Sequence, residues 1–236
     1  MFAKVKSLRQ NMQPQSIMTD FEISAIKAFN EVFPEVNQRA CFFHLKQSFL
    51  RKIREYPNIH KRFNTDCQFQ SKVNMLPALA FVPLSDVKSV FEKLVESPLY
   101  DDDDLIDLIA YFSDYYILGI GARGRRRNPL FEPKLWNNFE SVINNLPKTN
   151  NDVEGWHNKF ESYFSACHPS VWKFIEGIKK DDRMSEIELL QSQIRTSTKS
   201  TRKFYKEYAR RIHEIVFSYD KYDDKIDYLT IISSVL

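Results

Sequence analysis

Glycine is scarce: five in 236 residues, and no Gly-x-Gly-x-x-Gly or Gly-x4-Gly-Lys-Ser/Thr run occurs. That argues against a backbone cradle for nucleotide phosphates, which depends on glycine at fixed spacings. Cysteine is equally sparse. Cys41, Cys67 and Cys167 are an odd set and cannot all pair, a usage that suits a reducing compartment. The longest apolar run, from Leu76 to Leu84, is broken by Pro77 and Pro83 and falls far short of the ~18 apolar residues of a membrane span. Residues 1–6 have no apolar signal core. The expectation is a nuclear or cytoplasmic protein, neither secreted nor membrane-bound.

What is present points to a folded, mainly helical chain. Aromatic residues make up 14%, with 19 Phe and 11 Tyr, which excludes disorder over most of the length. The formal charge of +3 decides nothing by itself, but it is unevenly spread. Residues 123–127 read Arg-Gly-Arg-Arg-Arg, and the stretch from Arg195 to His213 holds seven Lys/Arg against one Glu. Such stretches suit phosphate contact, and they equally suit a solvated loop or helix face.

Periodicity organises the chain. Gln15–Thr19 reads as a short buried strand, with Asp20 in an N-cap position. Ile23, Ile26, Phe29 and Val32 follow at helical spacing until Pro34. Gln38–Phe42 reads as a second strand, so the two make a parallel βαβ unit. From there the pattern is helical: Leu45, Phe49 and Ile53 on one face until Pro57, then helices over 67–79, 84–96, 105–118, 135–146, 150–167 and 171–180. Residues 119–133 read as a loop, and 184–219 as a long basic helical stretch. The Asp101–Asp104 run precedes a helix, where carboxylates suit the dipole. Two strands are too few for an ordinary α/β core.

Three groups could carry chemistry. Asp20 stands at the carboxyl end of a strand, where α/β folds place ligands; read from the residues alone, the plain cap is the favoured alternative. Cys41 and His44 form a Cys-x2-His pair; a zinc site needs about four ligands, and the alternative is a buried cysteine beside a hydrogen-bonded histidine. In the run from Thr149 to Asn158, Asn151 and Glu154 have capping-box spacing. Glu154, His157, Asn158 and Glu161 share a polar face opposite Val153, Trp156, Phe160 and Phe164, and a carboxylate so placed could also hold a metal.

These residues carry a resemblance. Ile17–Glu22, Phe33-Pro34, Cys41–Leu45, Leu135–Asn137, Leu146–Asn158, His168–Ser170 and Trp172–Ile175 occur in an order and with gaps similar to the Mutator-like element (MULE) transposase domain, over roughly residues 1–180. The resemblance implies an α+β, mostly helical chain: a partial ribonuclease H-like core over 1–56, a helical insertion over 57–147, last core helices with an acidic residue over 148–180, and a basic helical tail over 181–236. It implies DNA cleavage and strand transfer by an Asp-Asp-Glu triad holding two Mg²⁺ (or Mn²⁺) ions, in DNA transposition in the nucleus. Asp20 matches the second acid and Glu154 the third; both are candidate catalytic residues and metal ligands. Cys41 and His44 match a structural Cys-x2-His signature. Lys148 replaces an Arg of the pattern.

The first acid of the triad belongs on a strand ahead of Asp20, and no Asp or Glu precedes Asp20 here. The expectation is therefore a front-truncated transposase domain, inactive as this chain, with at most weak metal binding. Asp66 and Asp152 are nominal substitutes for the first acid, neither on an expected strand. The competing expectation is a transposon-derived module that binds DNA or protein without catalysis. Expected partners are DNA, bound weakly and without sequence preference through Arg123, Arg125, Arg126 and Arg127, and a homo-oligomer or longer transposase. No membrane partner is expected.

Overall fold

The computed structural model describes residues 2–8, 12–119, 128–147, 151–164, 169–194 and 203–236. It divides into two units: 1–149 with 208–236, and 150–207.

The first unit opens with helix α1 (Phe2–Leu8), strand β1 (Ser16–Thr19), helix α2 (Ile23–Val32) and strand β2 (Asn37–Ala40). The strands pair in parallel, Ser16 opposite Asn37 through Thr19 opposite Ala40. This is the expected βαβ unit, and it is the only sheet among the described residues. β1 differs from expectation in burial. Ile17, Met18 and Thr19 are half-buried, because β2 is the strand's only neighbour in the sheet. The helix cap also differs. Glu22, not Asp20, is the N-cap of α2, and Asp20 Oδ1 accepts the Glu22 N–H at 3.2 Å, an Asx-type turn between strand and helix.

A helical body follows. Helix α3 (Phe42–Arg54) buries Leu45, Phe49 and Ile53, the face its spacing implied. Pro57 ends that pattern and at once begins helix α4 (Pro57–Thr65), since a missing N–H costs nothing in a first turn. Helix α5 (Cys67–Ala78) is capped by Asp66, whose carboxylate accepts the Gln68 and Phe69 N–H groups. Helix α6 (Val87–Glu96) and helix α7 (Asp103–Phe112) come next, and α7 runs on as a π-helical turn over Ser113–Ile117.

The segment expected as one helix over 135–146 is two short ones, α8 (Pro133–Trp136) and α9 (Phe139–Ile143). Two asparagines account for the break. Asn137 donates to the Val82 carbonyl at 2.7 Å and accepts the Phe139 N–H; the Asn138 N–H donates to the Ala80 carbonyl. These bonds outside the helix replace the ones it gives up.

Residues 208–236 belong to the same unit and contain the end of helix α12 (Lys203–Phe217) and helix α13 (Lys225–Val235). α13 packs against α5 and buries Tyr228, Leu229 and Ile232 in the common core. At its centre lie Trp136, Tyr116 and Phe112, all fully buried, with Tyr116 edge-on to Trp136 at 6.4 Å. Their polar atoms are paired. Trp136 Nε1 donates to the Phe131 carbonyl at 3.0 Å, and the Tyr228 hydroxyl donates to the Phe81 carbonyl.

The second unit holds helix α10 (Asn151–Glu161) and helix α11 (Val171–Ile194). α11 is far longer than the span 171–180 expected for it. Ser170 stands at its start, its carbonyl accepting the Phe174 N–H at 2.9 Å. The two helices are joined through Asp181, which is nearly buried and accepts Trp156 Nε1 at 2.7 Å and the Tyr163 hydroxyl at 3.3 Å. Gly177 lets the Phe164 ring lie against α11; a Cβ there would stand 2.4 Å from the ring.

Candidate functional site

Asp20 lies directly after β1, at the carboxyl end of a parallel strand and before α2. Its side chain is exposed. One carboxylate oxygen is occupied by the Glu22 N–H; the other makes no hydrogen bond to a described residue. A hard divalent cation takes such oxygens. The local fold explains the placement: Thr19 ends the ladder, the Asx-type turn redirects the chain, and Ile23 starts the helix.

Glu154 lies on α10 in the second unit, and Asp20 lies in the first. Among the described residues no group of three His, Cys, Asp or Glu is placed to share a metal ion. The Asp20 carboxylate is exposed and would serve as a ligand. Asp66, one nominal substitute for the first acid, is spent as the cap of α5 and lies 3.5 Å from Arg62. Asp152 falls on α10.

Cys41 is buried at the N-cap of α3, and His44 is half-buried in its first turn. The Cys41 N–H donates to the Thr19 carbonyl at 2.8 Å, so the pair's first member extends the strand ladder one step beyond β2. This ties the Cys-x2-His turn to the end of the strand that carries Asp20.

Arg123, Arg125, Arg126 and Arg127 fall outside the described residues, as do Cys167 and His168. Asp102 and Asp104 do have a defined role. Asp102 caps α7, and Arg62 of α4 reaches both, at 2.9 Å and 2.7 Å. The hydrogen bond from Arg62 holds the Asp102 carboxyl below the usual carboxylate range. This aspartate run is a helix-to-helix tie.

One residue was not singled out from the sequence. Arg39 on β2 is only 8% exposed, and its guanidinium meets Ser141 Oγ at 2.6 Å and Ser16 Oγ at 3.4 Å. Its Nε has no partner, and burial lowers its affinity for the proton. A charged residue within a four-residue strand was the available signal.

Residues 1–48 match the MULE transposase domain. That span takes in α1, β1, Asp20, α2, β2 and the Cys41/His44 turn, and it supports a transposase-derived origin for this part of the chain. No curated protein and no solved structure gives a significant match. No helix among the described residues is long and apolar enough to cross a membrane.

Proposed function

We propose that this is a transposase-derived DNA-binding protein carrying two of the three acids of a MULE-type site, Asp20 and Glu154, within a partial ribonuclease H-like core. One observation carries the reading: in the segment that matches the MULE domain, Asp20 sits with an open carboxylate oxygen at the end of a strand in a parallel βαβ unit. Mg²⁺ or Mn²⁺, when bound by a complete set of carboxylates, would activate the attacking oxygen and stabilise the leaving oxygen of a DNA phosphodiester. The residues of this chain would contribute hard oxygen ligands, Asp20 from the strand end and Glu154 from α10. Two carboxylates are too few to hold two ions at a fixed separation, so the 236-residue chain alone binds DNA without cutting it. Arg123, Arg125, Arg126 and Arg127 supply phosphate contacts, and the site of action is the nucleus. The Cys41/His44 turn is structural, through its link to the end of β1.

A plasmid assay tests this. Supercoiled DNA incubated with the chain and Mg²⁺ or Mn²⁺ is expected to be bound, with affinity falling steeply as salt rises because phosphate contacts release counterions. No nicking is expected. Joint replacement of Arg123, Arg125, Arg126 and Arg127 by Ala should weaken binding and flatten the salt dependence. Metal-dependent nicking lost in both Asp20→Ala and Glu154→Ala would overturn the claim of inactivity. Absence of any DNA affinity would overturn the binding reading.

A further inference from the structure

One face of helix α11 packs against α10 and the turn after it. Phe174 meets Phe160 and Phe164, Gly177 lies under the Phe164 ring, and Asp181 accepts from Trp156 and Tyr163. By helical spacing the face turned away from α10 carries Ile175, Lys179, Asp182, Arg183, Glu186 and Leu190, and every one of them is exposed. Leu190 is 60% exposed, and Trp172, on the same face, is 77% exposed. An exposed apolar residue means little by itself. The order of the charges between these residues is what sets the face apart.

Lys179 and Arg183 stand at i and i+4, and so do Asp182 and Glu186. Like charges at that spacing disfavour a lone helix. Lys179 could offset this with Asp182, and Arg183 with Glu186, at i and i+3. Neither pair closes: none of the four is in an ion pair with any described residue. Within one chain the charges on this face are therefore arranged unfavourably and left open.

Against a second copy the same order is complementary. The face is symmetric about the point between Asp182 and Arg183. Ile175 and Leu190 stand equally far from that point, and so do Lys179 and Glu186. Two copies of α11 laid antiparallel across a two-fold axis there make each contact twice, as a two-fold interface requires. Lys179 of one copy meets Glu186 of the other, Arg183 meets Asp182, and Ile175 meets Leu190. A parallel pair in register would instead set every charge against itself.

We propose that this face of α11 is a self-association surface, through which two copies of the chain pair antiparallel by those three contacts. The occupant is a second copy because the face carries both signs in a self-complementary order. A uniformly acidic or uniformly basic partner would be repelled by half of it. The seam is about four helical turns long and partly charged. It belongs at the small end of protein interfaces, below about 1,200 Å² of buried area, and a weak dimer with a Kd on the order of 10–100 μM is expected. The surface is independent of the transposase reading.

Sedimentation of the full 236-residue chain over a concentration series tests this. A monomer–dimer equilibrium is expected, and added salt should weaken it severalfold because exposed ion pairs are screened. Lys179→Glu sets like charges together at both ends of the seam, and Glu186→Lys does so with the opposite sign. Each alone should weaken the dimer by about tenfold or more. An equimolar mixture of the two variants restores both contacts and should recover wild-type association. A mixture of Lys179→Glu with Asp182→Lys, which do not face each other across the axis, should not. Leu190→Gln removes the apolar contact without changing charge and should weaken the dimer severalfold, with circular dichroism showing that each variant is folded. A chain that stays monomeric at ten times the expected Kd would overturn the proposal, and so would a dimer indifferent to both charge reversals. Equal recovery in the matched and unmatched mixtures would overturn it too, because net charge rather than this register would then drive association.

Discussion

The two-stranded sheet and the helical body of the first unit treat buried polar groups in opposite ways. In the body, the deepest ones are paired: Trp136 Nε1 with the Phe131 carbonyl, the Tyr228 hydroxyl with the Phe81 carbonyl, and the Tyr100 hydroxyl with the Lys72 carbonyl. On the strands, Thr19 Oγ1, Gln38 Nε2 and Arg39 Nε are buried and have no hydrogen-bond partner. Burying a polar atom unpaired costs about 1–3 kcal/mol, so the difference is energetic. The expectation is that stability is concentrated in helices α4 to α9 and in the helices of residues 208–236. The segment that matches the MULE domain rests on that support.

The sharpest way to break this comparison is Trp136→Ala. The side chain is fully buried, packs edge-on against Phe112 and Tyr116, and bonds to a loop carbonyl. Removal leaves a cavity and an unpaired carbonyl, and the expected loss is about 3–5 kcal/mol. Urea unfolding of the first unit should shift by that amount. A shift below about 1 kcal/mol would mean that the helical body is not where the stability lies.

Much of this contrast could be read from the sequence, and some could not. β1, α2 and β2 were legible because a short stretch without helical spacing gives way to helical spacing after Asp20 and again after Cys41. The apolar face of α3 was legible for the same reason. The break at Asn137 and Asn138 was not, because the spacing of Trp136, Phe139 and Val142 suits a continuous helix. Only the distant carbonyls of Ala80 and Val82 reveal why it stops. α13 falls within the helical tail expected over 181–236, but its place in the core was not legible: Asp224 caps it, and Tyr228, Leu229 and Ile232 are buried. Of the candidate site, the strand-end position of Asp20 was legible, whereas its exchange of the cap role with Glu22 depends on backbone angles that no spacing shows. The burial of Arg39 depends on α8 packing against β2 and on Ser141 of α9, which are non-local facts.

A smaller effect is expected at the charged tie between α4 and α7. Asp102→Asn keeps a side-chain cap for the Asp104 N–H and removes the charge that Arg62 binds. The wild-type carboxyl is depressed, first by the Arg62 hydrogen bond. A depressed carboxyl stabilises the fold above its unfolded pKa of about 3.9, and that stability fades as pH falls through the lower folded value. The variant should therefore be less stable than wild type at pH 7, and the gap should close as pH falls below about 4. A gap that stays constant with pH would assign the effect to capping geometry rather than charge.

The smallest effect is expected where intuition suggests a large one, at Arg39→Met. Deleting one partner of a well-made buried ion pair costs about 3–5 kcal/mol, because the other charge is stranded. Arg39 has no such partner. Its contacts are two serine hydroxyls, one at a long 3.4 Å, and its Nε is unpaired. Methionine fills a similar volume without a desolvation cost, and the Ser141 hydroxyl can turn to another acceptor. The change in urea unfolding should lie within about 1 kcal/mol of zero, on either side. That outcome would fit a strand pair whose polar groups are not optimised for the stability of this chain alone. A loss of about 3 kcal/mol or more would show instead that the serine contacts fully support the buried guanidinium, and that the sheet is as well satisfied as the helices around it.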